Sequence, residues 1–296
     1  MKRMKKKQSV IQWKNTFTRC ILIVFTVIVL LPIVWTVYTS FKTSREFLKN
    51  PWALPSGIHW QNYMNALEKG NMIAYFKNSV FVTILGLVFL MVLAVPTAYV
   101  TSRFKFRYSK AISILFMSGL FVSQNYIVVP IFLSLNNLQR YLNQYVVFQH
   151  VQLTNNLIIM ALIYAVCALP FTIYLLSGFL KSIPHEYENA AKIDGSSYVK
   201  TLIYVIIPMA KPAMITVLLF NFMGYWNEYI MATTLMQEEK WTLPVGLANL
   251  MEQQKFATDW GAMFAGMVIV MLPTMILYTI VQRKLTEGIS MGGLKG

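Results

Sequence analysis

Apolar residues gather into six long runs, approximately Cys20–Ser40, Ser79–Thr101, Ala111–Leu135, Asn156–Leu180, Ala213–Met236 and Gly261–Val281. Each is about 20 residues or longer, enough to cross roughly 30 Å of hydrocarbon. None alternates in segments of about ten residues, as the strands of a membrane barrel would. A segment in hydrocarbon must pair its own backbone groups, so the runs predict helices. Pro32, Pro96, Pro130, Pro170 and Pro273 lie inside them, where packed membrane helices tolerate proline. The expected fold is an all-α membrane protein with six transmembrane helices. Its parts are a basic N-terminus (1–19), a six-span region (20–281) and a C-terminal tail (282–296).

Charge sets the expected orientation. Of 26 Lys and Arg, 18 fall in segments 1–19, 102–110, 181–212 and 282–296, and 8 in 41–78, 136–155 and 237–260. Basic residues stay cytoplasmic, so both termini are expected inside. The N-terminal run of Lys2, Arg3, Lys5, Lys6 and Lys7 resembles the start of a signal peptide, whose apolar core spans about 7–15 residues. Here the core is longer and no small-residue cleavage site follows, so a retained first span is expected. The net charge of +15 then belongs to lipid head groups rather than to nucleic acid.

Composition excludes other classes. Charged residues make up 12% of the chain and hydrophobic ones 56%, with a mean hydropathy of +0.53; a soluble domain carries about 25% charged residues. Disordered chains, collagen and most water-soluble enzymes do not look like this. Cys20 and Cys167 sit in apolar runs, and His59, His150 and His185 are scattered, so neither a disulfide framework nor a metal site is expected. Gly288-Ile-Ser-Met-Gly-Gly293 is followed by Leu294, where a phosphate-binding loop needs lysine. No catalytic residues, bound metal or cofactor are expected, and any energy source must lie on a partner.

The segment 181–212 between the fourth and fifth runs has internal design. Pro184 can open a helix, and Glu186 and Glu188 favour its first turns through the helix dipole. Asp194-Gly195 suits a left-handed cap, and Ser196 or Ser197 can cap a second helix. Tyr198, Leu202 and Val205 recur at helical spacing until Pro208, where the pattern is expected to end. The reading is a helix–turn–helix in which Ala190 and Ala191 offer a small-side-chain surface to another protein. A membrane-surface amphipathic loop is the plainer alternative. In the fifth run Asn221, Tyr225 and Glu228 share one helical face at i, i+4 and i+7, with Asn227 beside it. They form either a stripe toward a solute path or a packing lock in which Glu228 reaches the boundary.

At these residues the sequence resembles a known family. Glu188-Asn-Ala-Ala-Lys-Ile-Asp-Gly195 with Ile207-Pro208 is similar to the EAA loop of bacterial ABC importer permeases, in particular those for carbohydrates. Lys49-Asn-Pro-Trp52, Trp60-Gln-Asn-Tyr63, Asn78-Ser79, Pro170-Phe171 and Trp226-Asn-Glu-Tyr229 extend the match. So do Thr242-Leu-Pro-Val-Gly-Leu247, Asp259-Trp-Gly261, Gln282-Arg283 and Gly292-Gly-Leu-Lys-Gly296, so that the resemblance covers nearly the whole chain. One departure is Asn189, which stands where a glutamate usually precedes the paired alanines.

The resemblance implies a permease subunit of an ATP-driven, binding-protein-dependent sugar importer in a bacterial cytoplasmic membrane, the solute being an oligosaccharide. Its implied partners are a second homologous permease, an ATPase dimer that holds ATP and Mg, and an extracytoplasmic sugar-binding protein. Glu188, Asn189, Ala190, Ala191, Asp194, Gly195 and Pro208 would form the ATPase-coupling element. Gly292, Gly293 and Lys295 would lie near the same interface, and the loop Thr242–Asp259 would reach the binding protein. An ion-coupled secondary carrier is the competing class, but such carriers usually show internal repeats and midplane charges, and here no repeat is visible between the halves and only one candidate buried carboxylate, Glu228, appears.

Overall fold

A computed structural model describes residues 2–68, 70–145, 151–253 and 259–293, with side chains over 16–68, 70–145, 151–253 and 259–282. All regular elements among the described residues are helical. The chain divides into two compact units, Met1–Gly70 with Leu250–Ile269 and Asn71–Asn249 with Val270–Gly296.

The first unit contains α1 (Lys2–Thr39), α2 (Ser44–Lys49), α3 (Gln61–Glu68), the end of α12 (Leu243–Gln253) and the start of α13 (Trp260–Gly293). Thr43 begins α2 with a capping box: its hydroxyl accepts from Glu46 N–H while the Glu46 carboxylate accepts from Thr43 N–H, which pairs two otherwise orphan donors. Phe47 stacks near Trp260 (5.0 Å) and Phe264 (5.1 Å), and Trp35 meets Phe264 edge-on at 5.2 Å. Asn62 is buried and donates to the carbonyls of Ser40 (2.7 Å) and Lys42 (2.8 Å). A Cβ on Gly261 would stand 2.5 Å from the Asn62 amide, so glycine permits this approach. Asn65 bonds Asp259 at 2.9 Å. Trp60–Tyr63 and Asp259–Gly261, far apart in sequence, are therefore two halves of one packed corner.

The second unit is built around α4 (Met72–Arg103) and α7 (Leu157–Ser182). Ala94, Ala98, Ala161, Ala165 and Ala168 are buried there. Small residues let backbones approach where lipid supplies no hydrophobic drive between helices. A Cβ on Gly86 would lie 3.2 Å from the Tyr225 ring and 3.3 Å from the Ala161 carbonyl, which marks the meeting of α4, α7 and α10 (Ile207–Trp226). At the start of α4, Asn78 donates to the Trp241 carbonyl (3.0 Å), and the buried Ser79 hydroxyl accepts from Leu243 N–H (2.7 Å). That pair fastens the first turn of α12.

Among the described residues five helical stretches are long and apolar enough to cross a membrane, Thr16–Thr39, Met72–Arg103, Leu157–Ser182, Tyr198–Trp226 and Trp260–Gln282, and the bent pair Ser109–Phe121 with Gln124–Leu142 makes a sixth when taken as one span. Two expectations need correcting. The third run is not one straight span over Ala111–Leu135. It is α5 (Ser109–Ser118) with the 3₁₀ turn Gly119–Phe121, then α6 (Gln124–Leu142), bent by 103° at the break. Val122 and Ser123 are extended there, and a Cβ on Gly119 would meet the Pro170 ring at 2.7 Å. The polar Ser123-Gln-Asn125 sits at the break, but a count of apolar residues taken over the whole run averages it away.

The fifth span also differs from Ala213–Met236. Helix runs without interruption from α9 (Tyr198–Thr201) through a π-helical turn, Leu202–Ile206, into α10. It stops at Trp226, and the short α11 (Ile230–Leu235) follows. Pro208 therefore does not end the pattern. Ile207 N–H bonds the Leu202 carbonyl, five residues back. This wider turn accommodates a proline that lacks its own donor and crowds the carbonyl four residues earlier.

Outside the spans, Gln139 and Asn143 at the end of α6 hold the returning chain. Gln139 Oε1 accepts from Leu153 N–H (2.7 Å), and Asn143 exchanges bonds with Val151. His150 lies outside the described residues.

Candidate functional site

Two polar constellations lie in the second unit. The first forms where α7 turns into α8 (Glu186–Ile193). Gly195 takes φ +75° after α8, and the Ser197 hydroxyl caps α9 by accepting from Lys200 N–H. Both match the turn signals in the sequence. Helix α8 begins at Glu186, with Pro184 two residues ahead. Tyr187, Asn189, Ala190, Ile193, Asp194 and Gly195 are exposed, whereas Glu188 and Ala191 are buried. The paired alanines thus face different ways, one turned into the protein and one out of it. Pro208 is exposed, near the start of α10.

Glu188 is engaged within the chain. Arg103, the last residue of α4, places Nε 3.3 Å from Glu188 Oε1, and the two side chains are only 2% and 7% exposed. This is an ion pair rather than an aligned hydrogen bond. The rest of the guanidinium grips the elbow: Nη2 donates to the Ile183 carbonyl at 2.7 Å, and Nη1 lies 3.3 Å from His185 Nε2. His185 Nδ1 is 3.2 Å from Glu188 Oε2. A neutral His185 protonated on Nδ1 satisfies both contacts, donating to the carboxylate and accepting from arginine. The sequence counted Arg103 only as a topology charge; nothing in its spacing pointed to Glu188, 85 positions away.

The second constellation is a cavity of about 200 Å³ bordered by Gln124, Tyr164, Phe171, Asn221, Tyr225 and Glu228, among others. Asn227 is exposed and donates to the Met223 carbonyl. The rest of the expected stripe, Asn221, Tyr225 and Glu228, borders the cavity, though not as one helical face: α10 stops at Trp226 and Glu228 lies in the break before α11. The polar atoms of these three residues have internal partners. Glu228 accepts from Met231 N–H (2.6 Å), Ala232 N–H (2.9 Å) and the Tyr164 hydroxyl (2.6 Å). A carboxylate at the N-terminus of α11 is favoured by the free amides and the helix dipole. Asn221 donates to Thr172 Oγ1 (3.0 Å) and the Val217 carbonyl (2.7 Å), and the Tyr225 hydroxyl donates to the Tyr164 carbonyl (3.0 Å). Gln124 and Tyr164 were missed in the sequence. The polar triplet Ser123-Gln-Asn125 inside an apolar run was a usable signal for the first; Tyr164 carried none.

Of the tail residues, Gly292 and Gly293 still belong to α13, and Lys295 lies outside the described residues. No group of three His, Cys, Asp or Glu suited to a metal ion occurs among the described residues.

Comparison with known proteins extends this picture. Residues 8–290 match the model of the family described as binding-protein-dependent transport system inner membrane component. The chain is 34% identical to the diacetylchitobiose uptake system permease protein NgcG of Streptomyces coelicolor, over 93% of this chain and 87% of that protein. It is 30% identical to the multiple sugar-binding transport system permease protein MsmG of Streptococcus mutans, over 99% and 100%. The fold is similar to a chain in the crystal structure of a bacterial ABC transporter that imports the acidic polysaccharide alginate. That match has a TM-score of 0.75 at 22% identity and covers 91% of this chain and 95% of the other.

Proposed function

Because this chain belongs to the binding-protein-dependent transport system inner membrane component family, we propose that it is the permease subunit of an ATP-driven sugar importer. It crosses the cytoplasmic membrane several times and does no chemistry itself. Both termini and the α8–α9 hairpin lie on the cytoplasmic side, in keeping with the distribution of lysine and arginine. A second, homologous permease completes the pathway, an ATPase dimer binding ATP and Mg drives it, and an extracytoplasmic binding protein delivers the sugar. The solute is an oligosaccharide, as the sugar-uptake relatives suggest.

The observation that carries this reading is the outward face of α8. Asn189 and Ala190 present small side chains beside the exposed Tyr187 and Ile193, a shape that another protein's groove can accept closely. Ala191, Asp194, Gly195 and Pro208 set the angle of that face, and Gly292, Gly293 and Lys295 approach the same partner. Asn221, Tyr225, Asn227 and Glu228 border the solute path. Their internal hydrogen bonds suit them to shaping its wall more than to direct grip on a sugar.

Purification of the chain from its own host membranes in mild detergent tests the reading. A second permease and a nucleotide-hydrolysing subunit should remain bound, and Ile193→Glu should strip off the ATPase while the permease pair persists. Recovery of a chain that transports sugar in vesicles without any ATPase would overturn it.

A further inference from the structure

The last residue of α4 and the capping residue after it hold both arms of the hairpin. Arg103 grips the α7–α8 elbow through Glu188, Ile183 and His185. Phe104, which caps α4, packs edge-on against Tyr198 of α9 at 5.3 Å and against Tyr99 at 5.5 Å. Lys192 of α8 lies over the same Tyr198 ring at 5.5 Å. Apart from these contacts α8 offers little apolar surface to the rest of the unit: only Glu188 and Ala191 are buried in it. An eight-residue helix with so small an interior face is not fixed by packing alone.

We propose that Arg103 is a positioning residue whose pairing with Glu188 makes the α8–α9 hairpin and α4 move as one rigid body. This rests on the reading of α8 as the ATPase-docking helix. Under it, Glu188 acts through Arg103 and not by touching the ATPase. The physical ground is geometric. A planar guanidinium with several donors in fixed directions can hold a carboxylate and a carbonyl together, which a lysine ammonium cannot do in the same way. Burial removes competing water, so the pair resists opening when force is applied to the outer face of α8.

The test uses the assembled complex with Cys20 and Cys167 replaced by serine and spin labels at Val100 on α4 and at the exposed Glu186 on α8. Pulsed electron–electron distance measurements should give one narrow distribution, unchanged between the nucleotide-free state and the state trapped with ATP, Mg and vanadate. Arg103→Gln alone leaves the buried Glu188 carboxylate without its guanidinium, held only by His185 and Tyr99, and can fail to fold, so the informative variant is Arg103→Gln with Glu188→Gln. It should still bind the ATPase but give a distribution roughly twofold broader, with Arg103→Lys intermediate and Arg103→Glu with Glu188→Arg restoring part of the width. A wild-type distance that shifts between the two states, or a double-glutamine variant as narrow as wild type, would overturn the proposal. Failure of α8 to bind an ATPase at all would show instead as loss of co-purification.

Discussion

Glycine and carboxylate positions show how closely single residues constrain this protein. A Cβ at Gly246 would stand 2.0 Å from Cδ2 of the buried Tyr75 ring, whereas at Gly57 nothing lies within 4 Å. Gly246→Ala is therefore expected to cost about 1–3 kcal/mol, the usual range for overpacking, seen as a lower melting temperature in detergent. Gly57→Ala should leave that temperature unchanged. Glu46 makes a pH-dependent contribution. A hydrogen bond from the Ser56 hydroxyl, then the Thr43 N–H at 2.8 Å, lower its carboxyl from 4.5 to about 2. A carboxyl depressed in the folded state contributes fully above its unfolded value and loses that contribution as pH falls through the folded one. The segment 43–56 should therefore loosen between about pH 4.5 and 2, followed through Trp52 emission, and Glu46→Gln should abolish that transition.

At the scale of elements, helix contacts rest on small residues and a few polar pairs. The bond from Asn221 on α10 to Thr172 on α7 is buried. Interhelical hydrogen bonds in membranes average about 0.6 kcal/mol and reach about 1.7. A double-mutant cycle of Asn221→Leu and Thr172→Val should give a coupling in that range; a value near zero would mean that the bond does not lock α7 to α10. The long apolar runs were legible because burial in lipid demands length and hydropathy, both of which a sequence displays. The bend after Phe121 was not, because the polar Ser123-Gln-Asn125 beside it is outnumbered by apolar residues on both sides, and length with mean hydropathy does not say whether a run bends. Pro208 misled for the opposite reason: its effect on the backbone was absorbed by the π turn before it.

At the scale of the whole molecule, orientation is the property on which the proposed function depends. Cysteines introduced at Lys105 and Asp194 should be shielded from a membrane-impermeant maleimide in intact cells and react only after permeabilisation. Those at Leu54 and Gln237 should react from outside. The reverse pattern would place the α8–α9 hairpin on the wrong side for an ATPase. Motifs spread along the chain gain meaning at this scale too. Trp60–Tyr63 with Asp259–Gly261, and Asn78-Ser79 with Trp241–Leu243, are mated corners, which explains residue types that no single loop required.

Residence in a membrane, the helical class, the side expected to face the cytoplasm and the turn signals at Gly195 and Ser197 all follow from local pattern, since hydropathy, charge and backbone preference are properties of neighbours in sequence. The inward direction of Glu188, its pairing with Arg103, the bond from Tyr164 to Glu228, the cavity that Gln124 shares with them and the broken third span needed distant segments brought together. Partner choice for a buried polar group depends on which residues fold beside it, and the order of residues along one strip of chain does not record that.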